Sequence, residues 1–488
     1  MPIFAKVSIL LGVCSLGACS NPVDDGTIDV SVIGERLRVP DPDQAPMSEA
    51  DRVLSGAVMT GLVTLDGNGQ VEPALAESWI VTGDGLSTIF RIRSARWRDG
   101  SPVTADDVAR SLNRAISAES RNPLKPLLSA IDSVVGMTGQ VVEIRLKTPR
   151  PNLLQLLAQP ELSIRRNGAG VGSFRITRMT ATNAQLVMLS NDDDPSPTSI
   201  ENVTLRAERA TLATARFMAG KADLVTGGTA GNWPVVLAAT MRANRVRFDP
   251  VQGLFGLAIV SKNRVLANRE VREALAMAVD RDAMVSALDF PNWGITKTIL
   301  PSQLDSALPP SKPDWVDKPL SQRRSDAAQR IAALGNPARS NLVVRVALPQ
   351  GPGMRILFAR LADDWRRIGV TAVSVRMGSP DTDLKLIDAV APNTSANWYL
   401  TQLSCAAGLV CDSAGDANLI ASRAADTLAV RSARIADADA ATVARASFIP
   451  LGTPIRWSLV DPALTGWKEN SLAAHPLSEL RPPRGPGL

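Results

Sequence analysis

The sequence predicts an α/β protein with more than one domain, and three observations lead to this prediction. Strand-like and helix-like segments alternate along the chain, which is typical of lobes in which helices cover a sheet. The chain has 488 residues, more than a single hydrophobic core usually organises. Apolar residues make up 45% and charged residues 21% of it, an ordinary globular balance that disfavours disorder over the whole chain.

Residues 1–19 have the pattern of an export signal. Lys6 supplies a positive charge, a short apolar stretch follows it, and small residues precede Cys19. The apolar stretch is shorter than the roughly 20 residues that a membrane-crossing helix needs. The sequence Leu-Gly-Ala-Cys that ends at Cys19 resembles a bacterial lipobox, in which the cysteine is acylated; the alternative is a plain signal peptide with an incidental cysteine. We predict a signal peptide at 1–18 and a lipidated tether at 19–26.

Local patterns predict the elements of the first third of the chain. The Asp-Gly and Asn-Gly pairs at 66–69 predict a tight turn between two extended segments. Residues 86–93 largely alternate apolar and polar side chains, as a half-buried strand does. Thr104 is the predicted N-cap of a helix, because two aspartates follow it in the first turn, where the helix dipole favours negative charge. Residues 141–146 predict a further strand.

The second half of the chain predicts a regular alternation of helices and strands. After an apolar strand at 255–260, Asn268 is the predicted N-cap of one long helix that runs to Leu288. The later predicted elements are a helix near 322–334, a strand at 342–348, a helix at 354–368, a strand at 370–376 and a helix at about 427–446. This alternation favours α/β lobes.

The composition excludes several kinds of function. The chain contains a single histidine, His475. Zinc hydrolysis and the Ser-His-Asp and Cys-His mechanisms usually use histidine as a ligand or proton shuttle. Paired carboxylates remain possible as catalytic groups, but no spacing in the sequence picks out a pair. We predict no catalytic residues, no metal site and no cofactor. The net charge of +5 comes from 53 basic and 48 acidic residues that are spread along the chain, so no nucleic-acid partner is expected.

Several blocks of sequence resemble one known family. Gly61–Asp66 (GLVTLD), Pro73–Trp79 (PALAESW) and Trp97–Val108 (WRDGSPVTADDV) occur in an order that is similar to the bacterial extracellular solute-binding proteins of family 5. Asn268–Val285 resembles a helix of the same family, and Leu464–Trp467 resembles part of its closing region. These proteins serve the ABC importers of peptides, dipeptides and nickel.

The resemblance implies a two-lobed, periplasmic-binding-protein-like fold of the large type II, with an extra subdomain on the first lobe. The ligand is then enclosed when the lobes close about chain crossings near 250 and 450. The implied division is a base lobe formed by 27–50, 163–250 and 451–488, an extra subdomain at 51–162 and a second lobe at 251–450.

The resemblance also implies a function. The chain is expected to be an exported, lipid-anchored and monomeric periplasmic protein, not an enzyme, that captures a peptide or other small solute and delivers it to an ABC permease in the inner membrane. The alternative is a degenerate relative that serves as a non-transporting scaffold or sensor of the cell envelope.

One loop departs from the peptide-binding members of the family. Their loop carries an acidic residue that pairs with the α-ammonium group of the ligand, but the matching segment 391–400 (APNTSANWYL) contains no Asp or Glu. A buried ammonium needs a carboxylate partner. Either Asp388 or another acid replaces the anchor, or the ligand has no free α-amine there. Asn397, Trp398 and Tyr399 are the other candidate ligand contacts; the alternative is that one or both aromatic rings belong to the core.

Cys405 and Cys411 are the cysteines that follow this loop. Two cysteines separated by five residues can close a small disulfide in an oxidising compartment, and the alternative is a pair of free buried thiols. Dipeptide-binding relatives carry a cysteine pair in the same region, so the resemblance implies the disulfide.

Overall fold

The computed structural model describes residues 26–189, 202–260, 264–304, 308–335 and 342–481. The predicted signal peptide, Cys19 and all of the predicted tether except its last residue lie outside these ranges. Among the described residues, none of the helices has the length and apolar content that crossing a bilayer requires.

The described elements alternate between strand and helix as the sequence predicts. The strands are β1 (Thr27–Ile33), β2 (Val63–Leu65), β3 (Val71–Pro73), β4 (Ala76–Val81), β5 (Ser87–Ile92), β6 (Ile131–Thr138), β7 (Val141–Leu146), β8 (Phe174–Met179), β9 (Asn183–Met188), β10 (Asn202–Glu208), β11 (Leu224–Thr229), β12 (Val246–Phe248), β13 (Gly253–Ile259), β14 (Val343–Leu348), β15 (Thr371–Arg376), β16 (Leu384–Val390), β17 (Phe448–Gly452) and β18 (Arg456–Val460).

The helices cover these strands. The α-helices are α1 (Glu49–Val58), α2 (Ala105–Ile116), α3 (Leu153–Leu157), α4 (Ala210–Met218), α5 (Trp233–Ala238), α6 (Arg264–Ala267), α7 (Arg269–Ala278), α8 (Arg281–Leu288), α9 (Leu320–Ala332), α10 (Pro352–Arg366), α11 (Ala396–Gln402), α12 (Ser413–Arg423) and α13 (Leu428–Arg445). Short 3-10 helices lie at Lys125–Leu128, Pro160–Leu162, Ala243–Arg245, Cys405–Ala407 and Leu477–Glu479.

The base lobe is built on a seven-stranded mixed sheet with the order β12-β18-β11-β1-β10-β9-β8. Its strands come from the beginning, the middle and the end of the described chain, so the lobe is discontinuous in sequence. The central strand β1 pairs in parallel with both β10 and β11. Ile28, Val30 and Val32 alternate along β1 and are 0% exposed, because every second side chain of a strand points to the same face.

The second lobe has a five-stranded sheet with the order β15-β14-β16-β13-β17, covered on both faces. Phe255, Leu257 and Ile259 of β13 belong to one apolar cluster with residues of α7 to α10. Leu254 and Ala258, on the opposite face of the same strand, pack with residues of α11 to α13. A strand buried on both faces appears in the sequence as a continuous apolar run, which is how residues 255–260 read.

The extra subdomain packs α2 on a four-stranded sheet with the order β4-β5-β7-β6. The predicted cap of α2 is confirmed: Thr104 Oγ1 accepts a hydrogen bond from Asp107 N (3.2 Å), and Asp107 Oδ2 accepts one from Thr104 N (3.1 Å). Trp97 Nε1 also donates to Asp107 Oδ2 (3.1 Å). Such a reciprocal cap stabilises a helix by about 1 kcal/mol. The predicted turn at 66–69 joins β2 and β3, as expected.

The predicted long helix from Asn268 to Leu288 is wrong in one respect. Asn268 does cap a helix, but the helix ends at Ala278, and α8 begins three residues later. Asp280 starts the second helix by accepting a hydrogen bond from Ala283 N (3.0 Å). Its own backbone N–H donates to Asp364 Oδ2 (2.9 Å) instead of continuing the first helix. A partner 84 residues away therefore breaks a segment whose local pattern is helical throughout.

The chain passes twice between the two sheets, once between β12 and β13 and once between β17 and β18. Aromatic rings fill the space beside these crossings. Trp233 packs edge to face on Phe248, Phe290 and Trp457, with ring centroids 5.0–6.3 Å apart. The Trp233 indole also donates to the carbonyl of Asp289 in the second lobe (2.9 Å). The domain boundaries given above stay predictions.

Candidate ligand cleft between the lobes

A cavity of about 460 Å³ lies where the base lobe, the extra subdomain and the second lobe meet. Its walls are α1, residues 59–65, residues 158–163, the facing ends of β11, β16 and β18, helix α11 and the segment 472–477. Small-molecule sites in proteins commonly measure roughly 300–1,000 Å³, so the cavity has the size of a solute site.

Helix α1 presents one face to this cleft. Glu49, Arg52, Val53 and Gly56 line the cavity at the spacing i, i+3, i+4, i+7, which places them on one side of a helix. Leu54, between them in sequence, is 0% exposed and faces the core of the base lobe. The face that borders the cleft thus carries two charged side chains, Glu49 and Arg52, while the opposite face fixes the helix in place.

Arg52 carries the positive charge of this wall. Its guanidinium forms an ion pair with Glu161, lies 3.9 Å from Glu49 and donates to Gln159 Oε1 (3.2 Å). Burial by itself lowers the pKa of Arg52, but attraction to Glu161 and Glu49 outweighs it and raises the pKa overall. Both acids on this side of the cleft therefore already have a cationic partner.

The acid predicted as an alternative ligand anchor also has a partner. Asp388 lies near the end of β16, lines the cleft, and accepts a hydrogen bond at Oδ1 from Arg456 of β18 (2.8 Å). The same arginine donates to the carbonyl of Asp388 (3.4 Å). Their side chains are 14% and 18% exposed, so the pair is largely screened from bulk water. This ion pair joins the second lobe to the base lobe across the cleft.

The remaining acid of the cleft wall, Asp249, contacts the last described segment of the chain, near residues 470–475. Asp249, at the first crossing between the sheets, lies 3.0 Å from Nε2 of His475 and accepts a hydrogen bond from Asn470 N (3.0 Å). His475 stacks on Trp467 with ring centroids 4.7 Å apart. The single histidine of the sequence is buried in this contact, where it secures the segment that forms the floor of the cleft.

Helix α11 carries the predicted ligand contacts, and the structure separates them. Trp398 lines the cleft. Tyr399 is 0% exposed, lines none of the described cavities and packs edge to face on Trp398 (4.9 Å) within the core of the second lobe. Burial raises the pKa of its hydroxyl. Asn397 borders a different cavity and accepts a hydrogen bond from Ser422 Oγ (3.2 Å). Successive helical residues point about 100° apart, so three neighbours cannot share one wall.

Several cleft residues lay beyond sequence reasoning. Arg52 and Arg456 carry little local signal, because the acids that they contact most closely are more than 60 residues away in the sequence. Gly228 is required by close packing: a Cβ at this position would lie 2.1 Å from the ring of Trp457. The glycine pair in the β11 sequence LVTGGT was a readable hint that a side chain is excluded there.

Two further features bear on the chemistry of the chain. Cys405 and Cys411 are joined in a disulfide bond, with the two Cα atoms 5.0 Å apart. Within the described ranges, no group of three His, Cys, Asp or Glu side chains is placed to hold a metal ion.

The family assignment follows from sequence comparison. Residues 70–402 match the profile of the bacterial extracellular solute-binding proteins, family 5 (middle segment). The chain belongs to this family. The resemblance stated from the sequence blocks is thereby confirmed.

Family 5 relatives confirm the fold and vary in their named ligands. A periplasmic oligopeptide-binding protein, OppA of Salmonella typhimurium, is 24% identical over 356 residues, or 64% of this chain and 64% of that protein, just under two thirds of its length. A probable deoxycholate-binding periplasmic protein, YgiS of Escherichia coli, is 31% identical over 161 residues, or 29% of this chain and 28% of that one. The crystal structure of Haemophilus influenzae OppA in complex with RPPGFSPFR has a TM-score of 0.83 at 17% identity, covering 94% of this chain and 100% of that chain. The two-lobed α/β fold is the one predicted.

Proposed function

We propose that this chain is the periplasmic solute receptor of an ABC importer. It captures a small solute in the cleft between the lobes and hands it to a permease, with no chemical conversion. The observation that carries the proposal is the cleft itself: a cavity of about 460 Å³, in a family 5 fold, with walls from both lobes and two charged side chains of one helix along one side.

The pairing of Asp388 with Arg456 supports a solute that places no free α-ammonium group at this acid. Arg52 pairs with Glu161 and lies 3.9 Å from Glu49. Arg456 pairs with Asp388, and Asp249 lies against His475. A ligand ammonium bound at Asp388 would have to take this carboxylate away from Arg456 and leave a largely buried cation unpaired, which typically costs several kcal/mol. A ligand recognised by backbone and neutral polar groups avoids that cost.

Closure of the lobes is the step that retains the solute. The Asp388–Arg456 pair ties strand β16 of the second lobe to strand β18 of the base lobe beside the two chain crossings. A solute that contacts both walls binds the closed arrangement more tightly than the open one and shifts the population towards it. The permease then receives a protein whose surface differs between the loaded and the empty state.

Native mass spectrometry of the protein without its leader tests this function. We expect a discrete small mass that is present under native conditions and lost on denaturation. Gly56→Trp should abolish it, because Gly56 lines the cleft and has no atom within 4 Å of an added Cβ, so the indole can fill the cavity. Gly83→Trp is the matched control, since its added Cβ also meets nothing within 4 Å and Gly83 is not part of the cleft wall.

Each outcome assigns the function or the ligand class. A bound mass that Gly56→Trp removes and Gly83→Trp retains supports a receptor, and its formula identifies the solute. A bound peptide with a free amine that is lost in Asp388→Asn would contradict the ligand class proposed above. A clean protein mass, unchanged after incubation with peptide and metabolite pools, would favour the alternative of an envelope scaffold or sensor.

We also propose that Cys19 is acylated and holds the protein at the envelope membrane. The support is the lipobox-like sequence, in which small residues precede the cysteine after a short apolar stretch. In cells, Cys19→Ser should move the protein from the membrane fraction to the soluble fraction and prevent incorporation of labelled palmitate. Equal membrane association of the variant and the parent would contradict the anchor.

A further inference from the structure

A second cavity, of about 490 Å³, lies between the extra subdomain and the second lobe. One wall consists of residues 126–131 and 150–156 of the subdomain. The other consists of α11, the end of α12 and the first two turns of α13. Helix α11 borders both cavities, with Trp398 towards the ligand cleft and Asn397 towards this one. The two cavities share no lining residue.

Three half-buried arginines from both sides converge on this cavity. Arg150 belongs to the subdomain, whereas Arg423 and Arg431 belong to the second lobe. Arg423 donates to Thr401 Oγ1 (2.7 Å), and Arg150 donates weakly to the carbonyl of Arg423 (3.4 Å). The Nε atoms of Arg150 and Arg431 are buried and have no hydrogen-bond partner among the described residues.

No acidic side chain balances this charge at contact distance. None of the described carboxylates forms an ion pair with Arg150, Arg423 or Arg431, and the cavity lining contains neither Asp nor Glu. Asp416 attracts Arg423 without an ion pair, and its carboxylate accepts a hydrogen bond from Cys405 N (2.9 Å). The second cavity therefore differs from the ligand cleft, where every lining acid and arginine is paired.

The electrostatic state of these groups agrees with an uncompensated cluster. Burial, followed by repulsion from Arg431 and Arg423, lowers the pKa of Arg150 to about 10. Burial likewise lowers the pKa of Arg423. Guanidinium groups donate paired N–H hydrogen bonds to carboxylate and phosphate oxygens. A bound anion would therefore give the unpartnered nitrogens an acceptor and would also offset the repulsion among the three arginines.

The rest of the lining is largely apolar, which narrows the class of anion. Its aliphatic side chains are Leu127, Leu128, Ile131, Leu153, Leu156, Leu428 and Ile435. A simple inorganic ion would leave this surface facing water, whereas an aliphatic body attached to the anion would cover it at roughly 25 cal/mol per Å².

We propose that this cavity is a second ligand site, for a small organic anion with an apolar body whose acidic group is held by Arg150 of one lobe and by Arg423 and Arg431 of the other. The site is separate from the solute cleft; only its link to lobe closure rests on the proposed function. When the lobes close, Arg150 approaches the like charges of Arg423 and Arg431, and a bound anion offsets this repulsion. The anion thus favours the closed arrangement, in which Thr148 Oγ1 also donates to the carbonyl of Arg423 (3.0 Å).

Isothermal titration calorimetry of the purified protein tests the site with octanoate as the probe. Acetate has the acidic group without the apolar body, and octanamide has the body without the charge. We expect octanoate to bind at least about tenfold more tightly than octanamide, because only a carboxylate accepts charge-assisted hydrogen bonds from the arginines. It should exceed acetate by a similar factor, because only octanoate covers the aliphatic wall. Arg150→Gln and Arg431→Gln should each weaken octanoate binding by about tenfold or more.

Arg434→Gln is the matched control. Arg434 lies on α13, as Arg431 does, but it is exposed and donates to Asn418 instead of lining the cavity. Its octanoate affinity should equal that of the parent, and thermal unfolding should show that all three variants are folded.

Octanoate binding that is absent, equal to that of octanamide, or unaffected by both cavity variants would overturn the proposal. Loss of octanoate binding in Gly56→Trp alone would place the anion in the solute cleft. If no solute is found in the cleft but octanoate still binds through the arginines, only the proposed receptor function is refuted and the second site stands.

Discussion

Asp439 gives this protein a pH-dependent stability whose sign is the reverse of that of an ordinary ion-paired acid. It lies within α13, is 1% exposed, and accepts a hydrogen bond at Oδ2 from Ser311 N (2.7 Å). Its Oδ1 is buried and has no hydrogen-bond partner among the described residues. Burial raises the pKa of Asp439 to about 6 from its ordinary value of 3.8, although the bonds from Ser311 lower it in part.

The size of the effect follows from this shift. A change of about two pKa units corresponds to roughly 3 kcal/mol, since one unit is about 1.4 kcal/mol. Because the folded pKa of Asp439 is raised, the folded state favours the protonated form. Its contribution to stability is fully present below about pH 4 and is lost as the pH rises through about 6. At pH 7 the folded protein therefore holds a buried charge that destabilises it by an amount of this order.

Asp439→Asn isolates this contribution, because the amide has nearly the same shape and no charge. Urea denaturation between pH 4 and pH 7.5 should show the variant to be more stable than the parent at pH 7, by about 1–3 kcal/mol, and equal to it near pH 4. Asp437→Asn, at an exposed position of the same helix, should give a difference that changes little with pH. A stability difference for Asp439→Asn that stays constant across this range would refute the reasoning.

Three further predictions concern packing and the disulfide, each measured as the free energy of unfolding in urea. Gly228→Ala should destabilise the protein by about 1–3 kcal/mol or more, because its Cβ would lie 2.1 Å from the ring of Trp457; a neutral result would contradict this packing. Gly56→Ala, in the interior of α1 with open space around it, should instead stabilise by about 0.5–1 kcal/mol, and a loss would show that the cleft wall tolerates no methyl group. Replacing both Cys405 and Cys411 by serine should cost about 2 kcal/mol, the entropy of closing so short a loop, and reduction of the parent should leave an equal deficit.

Local chemistry made much of the fold readable from the sequence. The turn at 66–69, the capping of α2 by Thr104 and the strand at 141–146 are all found where the pattern predicts them. Each depends on hydrogen bonds and side-chain periodicity within a few residues. The apolar run at 255–260 likewise predicts a strand, and the structure covers this strand on both faces.

The candidate sites were much less predictable. Asn397, Trp398 and Tyr399 lie in the segment that resembles the ligand loop of the family, yet helical geometry sends one to the cleft, one to the core and one to the second cavity. Asp388 was identified as the acid nearest to the altered loop, but its role depends on Arg456, which is 68 residues away.

The sequence by itself determined the family, the α/β class and most elements, because turns, caps and apolar periodicity are local and leave a pattern in the residues. Only the tertiary structure decided that Asp364 breaks the helix at Asp280, that each acid of the cleft has a cationic or histidine partner, and that arginines at 150, 423 and 431 face one another. Charges act over ångströms in space, not over positions in the chain, and packing of the lobes sets which charges meet.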